Sequence, residues 1–262
     1  MFRRLVKDAK KEKHSTGVEE IDLFLGGGLS PGTIILLVQG EDVKAHLGIH
    51  RLFLSQGLED GEQTVHISLD NPNLAPPGVQ TAQTTPLNAV KETIAWRYKN
   101  MSQIGNTPAI KGTSVSRSKK FDLKTVHHEA EKVKHAKIEF AAELETSSLY
   151  ENLERTRVSI SSLFSPLWEK TPKEIAEYLF DLRKIVKNHK MVCLVSIPVY
   201  LQEAFNYGYF DYVIGLEANR IPSLKYDGIL ETIKTDHHKQ NKYGVYCTST
   251  GIKVEKIVLP PE

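Results

Sequence analysis

Cysteine is scarce in this sequence: Cys193 and Cys247 are the only two in 262 residues, and they lie far apart. That excludes a disulfide scaffold and a four-cysteine zinc module. Long apolar runs are also lacking. None reaches the roughly 18–20 residues that span a bilayer, so no membrane partner is expected. Nor is there an excess of one charge: 34 Lys+Arg face 32 Asp+Glu, a formal net charge of +2. A histone-like nucleic-acid binder needs a large basic excess, so any nucleic-acid contact here must come from a local patch. The opening residues, MFRRLVKDAKKEKH, contain no apolar h-region. The expectation is no secretory signal and a reducing compartment, the cytoplasm with the nucleus as a second location. What remains is 40% hydrophobic and 25% charged, a balance that buries a core without staples.

Residues 1–14 carry six Lys/Arg and two acids and read as a basic tail. From Ser15 onward the pattern becomes ordered. Val18, Ile21, Phe24 and Leu25 have helical spacing, with Ser15 or Thr16 placed to cap the helix and Gly26-Gly27-Gly28 to end it. Thr33–Val38 is a continuous β-branched run of the kind buried in parallel sheets. A helical pattern over Val43–Leu58 and an alternating strand over Thr64–Asp70 complete one βαβ unit. Residues 71–91 and 100–120 are rich in Pro, Gly, Ser, Thr and Asn and read as loop excursions. Thr93–Tyr98 is a short strand candidate. Leu123–Arg157 is helical in composition. Val158–Leu163, Met191–Ile197 and Tyr212–Leu216 read as further strands, and Pro172 opens a helix through Val186. From Gly228 the alternation suggests an antiparallel end to the sheet.

The strand ending near Val38 is followed by Gly40 and a helix, which is where a phosphate-binding loop belongs. Such a loop requires G-x-x-x-x-G-K-[ST]: backbone N–H groups wrap the phosphates, the lysine neutralises them and the hydroxyl holds magnesium. Gly40 fits the first position. Ala45 stands for the second glycine, His46 for the lysine and Leu47 for the hydroxyl, while Lys44 comes two positions early. Glu41 and Asp42 add negative charge where an anion would sit. The acid that would support a metal should end a hydrophobic strand, yet Val158–Leu163 ends in serines and Met191–Ile197 runs into Pro198. His127-His128, His135 and His237-His238 lack the pairing of a helical zinc site and read as surface histidines. Ser161, Ser162 and Ser165 sit in no G-x-S-x-G elbow.

Several segments together carry a resemblance. Ser15-Thr16-Gly17, Asp22 and Leu25–Gly32 are similar to the start of the RecA-like ATPase superfamily. Ile94-Ala95-Trp96-Arg97-Tyr98, Phe121-Asp122-Leu123, Ser148–Glu151, Ser161–Trp168, Phe210–Glu217 and Leu259–Glu262 resemble one family, the fourth subunit of the Elongator complex. The resemblance implies a RecA-like fold lacking the phosphate-loop signature, in agreement with residues 40–47. It implies assembly with the fifth and sixth Elongator subunits into a hexameric ring that binds tRNA and responds to nucleotide. It also implies service to a catalytic Elongator subcomplex that modifies wobble uridines at carbon 5. The radical and acetyl-transfer chemistry would lie on another subunit.

The expected fold class is therefore α/β: a RecA-like P-loop NTPase fold with a degenerate P-loop, and a mostly parallel central sheet with an antiparallel C-terminal extension. It would occupy 15–262 as one domain. No catalytic residue, cofactor or metal is expected. Lys111, Arg117, Lys119 and Lys120, in a basic Gly/Ser/Thr-rich loop, are the candidates for tRNA phosphate contact. Trp96, Arg97, Tyr98 and Trp168 are the interface candidates. Two rivals stand beside this reading. An autonomous RecA-like NTPase is opposed by Ala45-His46-Leu47, and a DNA-binding recombination accessory protein by the Trp96 and Trp168 segments.

Overall fold

The computed structural model describes residues 13–40, 45–80, 119–136, 155–204, 206–220, 225–235, 242–248 and 251–257. A short helix α1 (Glu19–Phe24) leads into strand β1 (Thr33–Gln39), helix α2 (Ala45–Glu59) and strand β2 (Gln63–Ile67). Strands β3 (Pro77–Val79), β4 (Phe121–Val126), β5 (Lys134–Ala136) and β6 (Thr156–Ile160) follow. Helix α3 (Pro172–Asn188) precedes β7 (Val192–Pro198) and β8 (Tyr212–Ala218). The chain then runs through β9 (Gly228–Lys234), β10 (Lys242–Thr248) and β11 (Gly251–Lys256).

Nine of these strands form one sheet in the order β11-β10-β9-β8-β1-β7-β6-β2-β5. The six from β8 to β5 pair in parallel, and β9, β10 and β11 extend the β8 side antiparallel. The fold is α/β with a large, mostly parallel sheet, and the antiparallel end falls where the alternation from Gly228 points. β1 lies near the centre because its apolar run has no polar face to spare. Ile34, Leu36 and Val38 join the core under α3, while Ile35 and Leu37 join the core under α1 and α2. Strand periodicity of two thus feeds two layers at once.

Helix α3 follows its sequence closely. Thr171 caps it and Glu174 closes a capping box, with Pro172 in the first turn. Tyr178, Leu179, Leu182, Ile185 and Val186 form its buried stripe. Helix α2 differs: every residue from Leu52 to Leu58 is buried. The sheet covers one side, and the antiparallel β3–β4 ladder leans on the helix at Ser55, whose Oγ donates to Pro77 O at 2.8 Å. Arg51 ties the same ladder, donating to Ala75 O at 2.7 Å and Leu123 O at 3.0 Å.

Two expectations are corrected here. Within the expected helical stretch Leu123–Arg157, the end of β4 (to Val126) and Lys134–Ala136 are strand, because pairing with β3 and with Val65–Ile67 outweighs helical composition. Pro77–Val79 is a strand inside the expected 71–91 excursion. The strand candidate Thr93–Tyr98 lies outside the described residues.

Candidate functional site

In open parallel sheets, ligands sit beyond the carboxyl ends of the strands, where neighbouring connections diverge. β1 occupies that position, flanked by β7 and β8. A crevice of about 240 Å³ opens there, lined by residues that end four strands or follow them: Gln39, Asp70, Ser162 with Ser165, and Pro198 with Tyr200. Ser165 Oγ donates to Asp70 Oδ2 at 2.7 Å, and Gln39 Nε2 donates to Ser162 Oγ at 3.3 Å. Ser162 N donates to Ser196 Oγ at 3.0 Å, fixing the turn to β7. Ser162 and Phe164 hold φ values of 52° and 59°, a left-handed backbone that non-glycine residues adopt at a cost.

Gly40 stands at the exit of β1. Its N–H donates to Leu216 O at 2.6 Å, and a Cβ there would meet that oxygen at 2.7 Å. Close approach to β8 therefore requires glycine at this point. Ala45 is buried, His46 is half-buried, and Leu47 packs against the small apolar cluster of Leu54, Leu58, Leu74 and Val133. Lys44 lies outside the described residues.

The Ser15–Gly28 segment does not cap α1 through Ser15 or Thr16. Val18 is the capping residue, and no side chain caps the first turn of the helix. Ser15 Oγ and Thr16 Oγ1 instead donate to the buried Asp22 carboxylate at 2.5 and 2.7 Å, joined by Thr16 N at 2.7 Å. Burial raises the Asp22 pKa, and these bonds offset part of the rise. Beneath this clasp lies Arg157, wholly buried on β6. It donates to Glu62 Oε2 at 2.6 Å, to Ser15 O at 2.7 Å and to Phe53 O at 3.0 Å. Burial alone would raise the Glu62 pKa, but Arg157 and His14 outweigh it and hold the carboxyl at about 2.

The sequence pattern that defines the PAXNEB protein family matches residues 7–218. The chain belongs to the PAXNEB family. Elongator complex protein 4 of Xenopus laevis is a curated relative, 25% identical over 248 aligned residues. The alignment covers 71% of this chain and 60% of the relative, so the chain spans about three-fifths of that protein's length. The resemblance drawn from the sequence segments is borne out at the level of the family and this relative.

Within this PAXNEB fold the candidate residues are dispersed. Trp168 is buried, with its ring edge-on to Phe164 and Tyr178 at centroid distances of 5.8 and 6.0 Å. It packs inside the chain, with no face offered to a neighbour. Trp96, Arg97, Tyr98, Lys111 and Arg117 lie outside the described residues. Lys119 forms an ion pair with Glu59, and its N–H donates to Gln56 Oε1 at 3.0 Å. Lys120 is exposed on the rim of a separate groove with Gln80 and Lys253.

The expectation of a surface histidine fails at His127, which is buried, and His50 and His66 are core residues that sequence reasoning did not single out. His127 is buried and donates from Nε2 to Glu59 Oε1 at 2.9 Å, while its Nδ1 accepts the Glu129 N–H at 3.0 Å. With His128 these groups come within metal-ligand reach. However, the hydrogen bonds occupy both ring nitrogens of His127, and Lys119 already neutralises Glu59. The trio reads as a latch between α2 and the β4–β5 turn. His66 Nε2 and Asn71 O are 3.0 Å apart, and Ser159 Oγ lies within 3.2 Å of His66 Nδ1 and 2.8 Å of His50 Nδ1. Burial lowers both pKa values, His66 to about 4 and His50 well below its ordinary value. Two neutral imidazoles thus share one serine inside the sheet–α2 layer. Asp70 and Tyr200 were missed as well; the only local hints were an acid closing the β2 pattern and a tyrosine just after Pro198.

Proposed function

We propose that this PAXNEB protein is a non-catalytic, RecA-like subunit of an Elongator-type assembly. It would join the fifth and sixth Elongator subunits in a hexameric ring that binds tRNA and supports wobble-uridine modification at carbon 5 by a catalytic subcomplex. The observation that carries the reading is the family match over residues 7–218 together with the relative named for the Elongator complex. The parallel strands support the RecA-like frame: in chain order β1, β2, β6, β7 and β8 stand as 5-1-4-3-2 across the sheet. That arrangement puts a strand between the phosphate-loop strand and the one expected to carry the metal acid.

The loss of nucleotide chemistry rests on residues rather than on topology. Leu47, where a hydroxyl would hold magnesium, faces an apolar cluster, and Gly40 is explained by contact with β8. Strand β6 is followed by Ser161-Ser162 and supplies no carboxylate of its own for a metal. We expect calorimetry to detect no micromolar ATP binding by the chain alone. Binding that is abolished by changing Lys44 or His46 would overturn this. Affinity purification of the tagged chain from its own cells should return Elongator subunits, and its deletion should deplete the carbon-5 wobble modification. Recovery without those subunits, or unchanged modification, would count against the reading.

A further inference from the structure

Among the described residues, the side-chain donors that line the crevice at the strand ends are largely engaged with one another. The Ser165 proton is directed to Asp70, and the Ser162 hydroxyl is engaged with the Gln39 amide at 3.3–3.5 Å. Asp70 and Tyr200 are exposed members of the lining, while Ser165 is buried beneath Asp70. Asp70 is the only charged residue in the described lining. Among the described residues, an anion entering would meet that carboxylate with no cation in the lining. A donor-only, positively charged group meets complementary chemistry.

Size and shape narrow the class further. The crevice, about 240 Å³, is at the small end for a ligand site and has room for one side chain. Tyr200 is 59% exposed at the rim. Partial burial and the nearby negative charge of Asp70 raise its pKa, so ring and carboxylate share one neighbourhood. A planar guanidinium uses both, donating to the carboxylate while resting on an aromatic ring. The left-handed backbone at Ser162 and Phe164 sets the Ser161–Ser165 turn rigidly beside them.

We propose that this crevice is a receptor for an arginine side chain of a neighbouring protein chain, with Asp70 as its charge partner and Tyr200 as its stacking ring. The choice of a neighbouring chain as donor rests on the assembly reading above; the guanidinium chemistry does not.

The test uses the full-length chain alone, so its outcome is independent of whether an assembly forms. Backbone amide NMR at low salt would follow titration with Nα-acetyl-arginine amide, its neutral citrulline counterpart and inorganic phosphate. The expected result is a saturable shift at Ser162, Leu163 and Ser165 with the arginine probe. The citrulline probe and phosphate should leave those amides unmoved. Asp70→Asn keeps an acceptor for Ser165 and should weaken the arginine probe about fivefold, with an unchanged melting temperature. Tyr200→Leu should weaken it as well. Equal shifts from citrulline, saturation by phosphate, or no saturable shift at tens of millimolar arginine probe would overturn the proposal. So would an Asp70→Asn protein that binds as well as the parent.

Discussion

Arg157 sits with no exposed surface, yet its charge is fully compensated. Glu62 takes one edge of the guanidinium, two carbonyls take another, and the Phe53 ring lies 4.7 Å below its centre. A buried ion pair adds little against a well-packed apolar replacement, but removing one partner leaves a buried charge unmet. We therefore expect Glu62→Gln and Arg157→Ala each to cost about 3–5 kcal/mol in urea unfolding, and the Glu62→Met/Arg157→Met pair to cost much less than the sum. Losses that simply add would contradict a coupled pair. The same buried groups set the acid response. His66 drops from an ordinary value of 6.5 to about 4 on folding, so below pH 6.5 the unfolded chain binds a proton that the folded chain refuses. Stability should fall by about 3 kcal/mol from this group as pH drops from 6.5 to 4, and level off below. Glu62, held at about 2 against 4.5, adds a second loss between pH 4.5 and 2. Denaturant midpoints measured from pH 8 to 3 should show the first step shrink in His66→Gln; an unchanged step would contradict its assignment.

At the scale of elements, the contrast between α3 and α2 explains what the sequence makes legible. The signals for α3 are local: a proline in the first turn, Thr171 with Glu174, and a stripe at helical spacing. Thr171→Ala should lower stability by about 1 kcal/mol, read from thermal unfolding; no change would show that the capping box is idle. α2 announces its start less well, because its polar residues are buried by an add-on ladder that the sequence does not reveal. Leu123–Val126 reads as helix in composition and becomes part of a strand whose partner lies more than forty residues away. The parallel strands were legible from their β-branched runs, and the antiparallel end from alternation. Asp70, Ser165 and Tyr200 meet only because four strand ends converge, so no spacing along the chain foretells their crevice. The Ser15–Gly28 motif was legible as a motif but not as a clasp, since its purpose lies in Asp22 and Arg157. Asp22→Ala should loosen that segment, leaving Ser15 and Thr16 without their acceptor, and hydrogen exchange at Thr16 and Gly27 should quicken.

Across the whole molecule, the two cores lie on opposite faces of one sheet, and β1 belongs to both. Leu36, fully buried between Val195 and Val213 in neighbouring strands, is a suitable probe of that centre. Among the described residues that line the strand-end crevice, Asp70 is the one charged side chain, which is the setting of the arginine receptor proposed above. Our account holds that this chain works by joining neighbours. Light scattering with size-exclusion chromatography tests that most directly, on the chain alone and mixed with the fifth and sixth Elongator subunits from the same source. The account predicts a stable complex with the mass of a six-subunit ring containing all three chains at micromolar concentration. A monomer that elutes unchanged in the presence of both partners would contradict it.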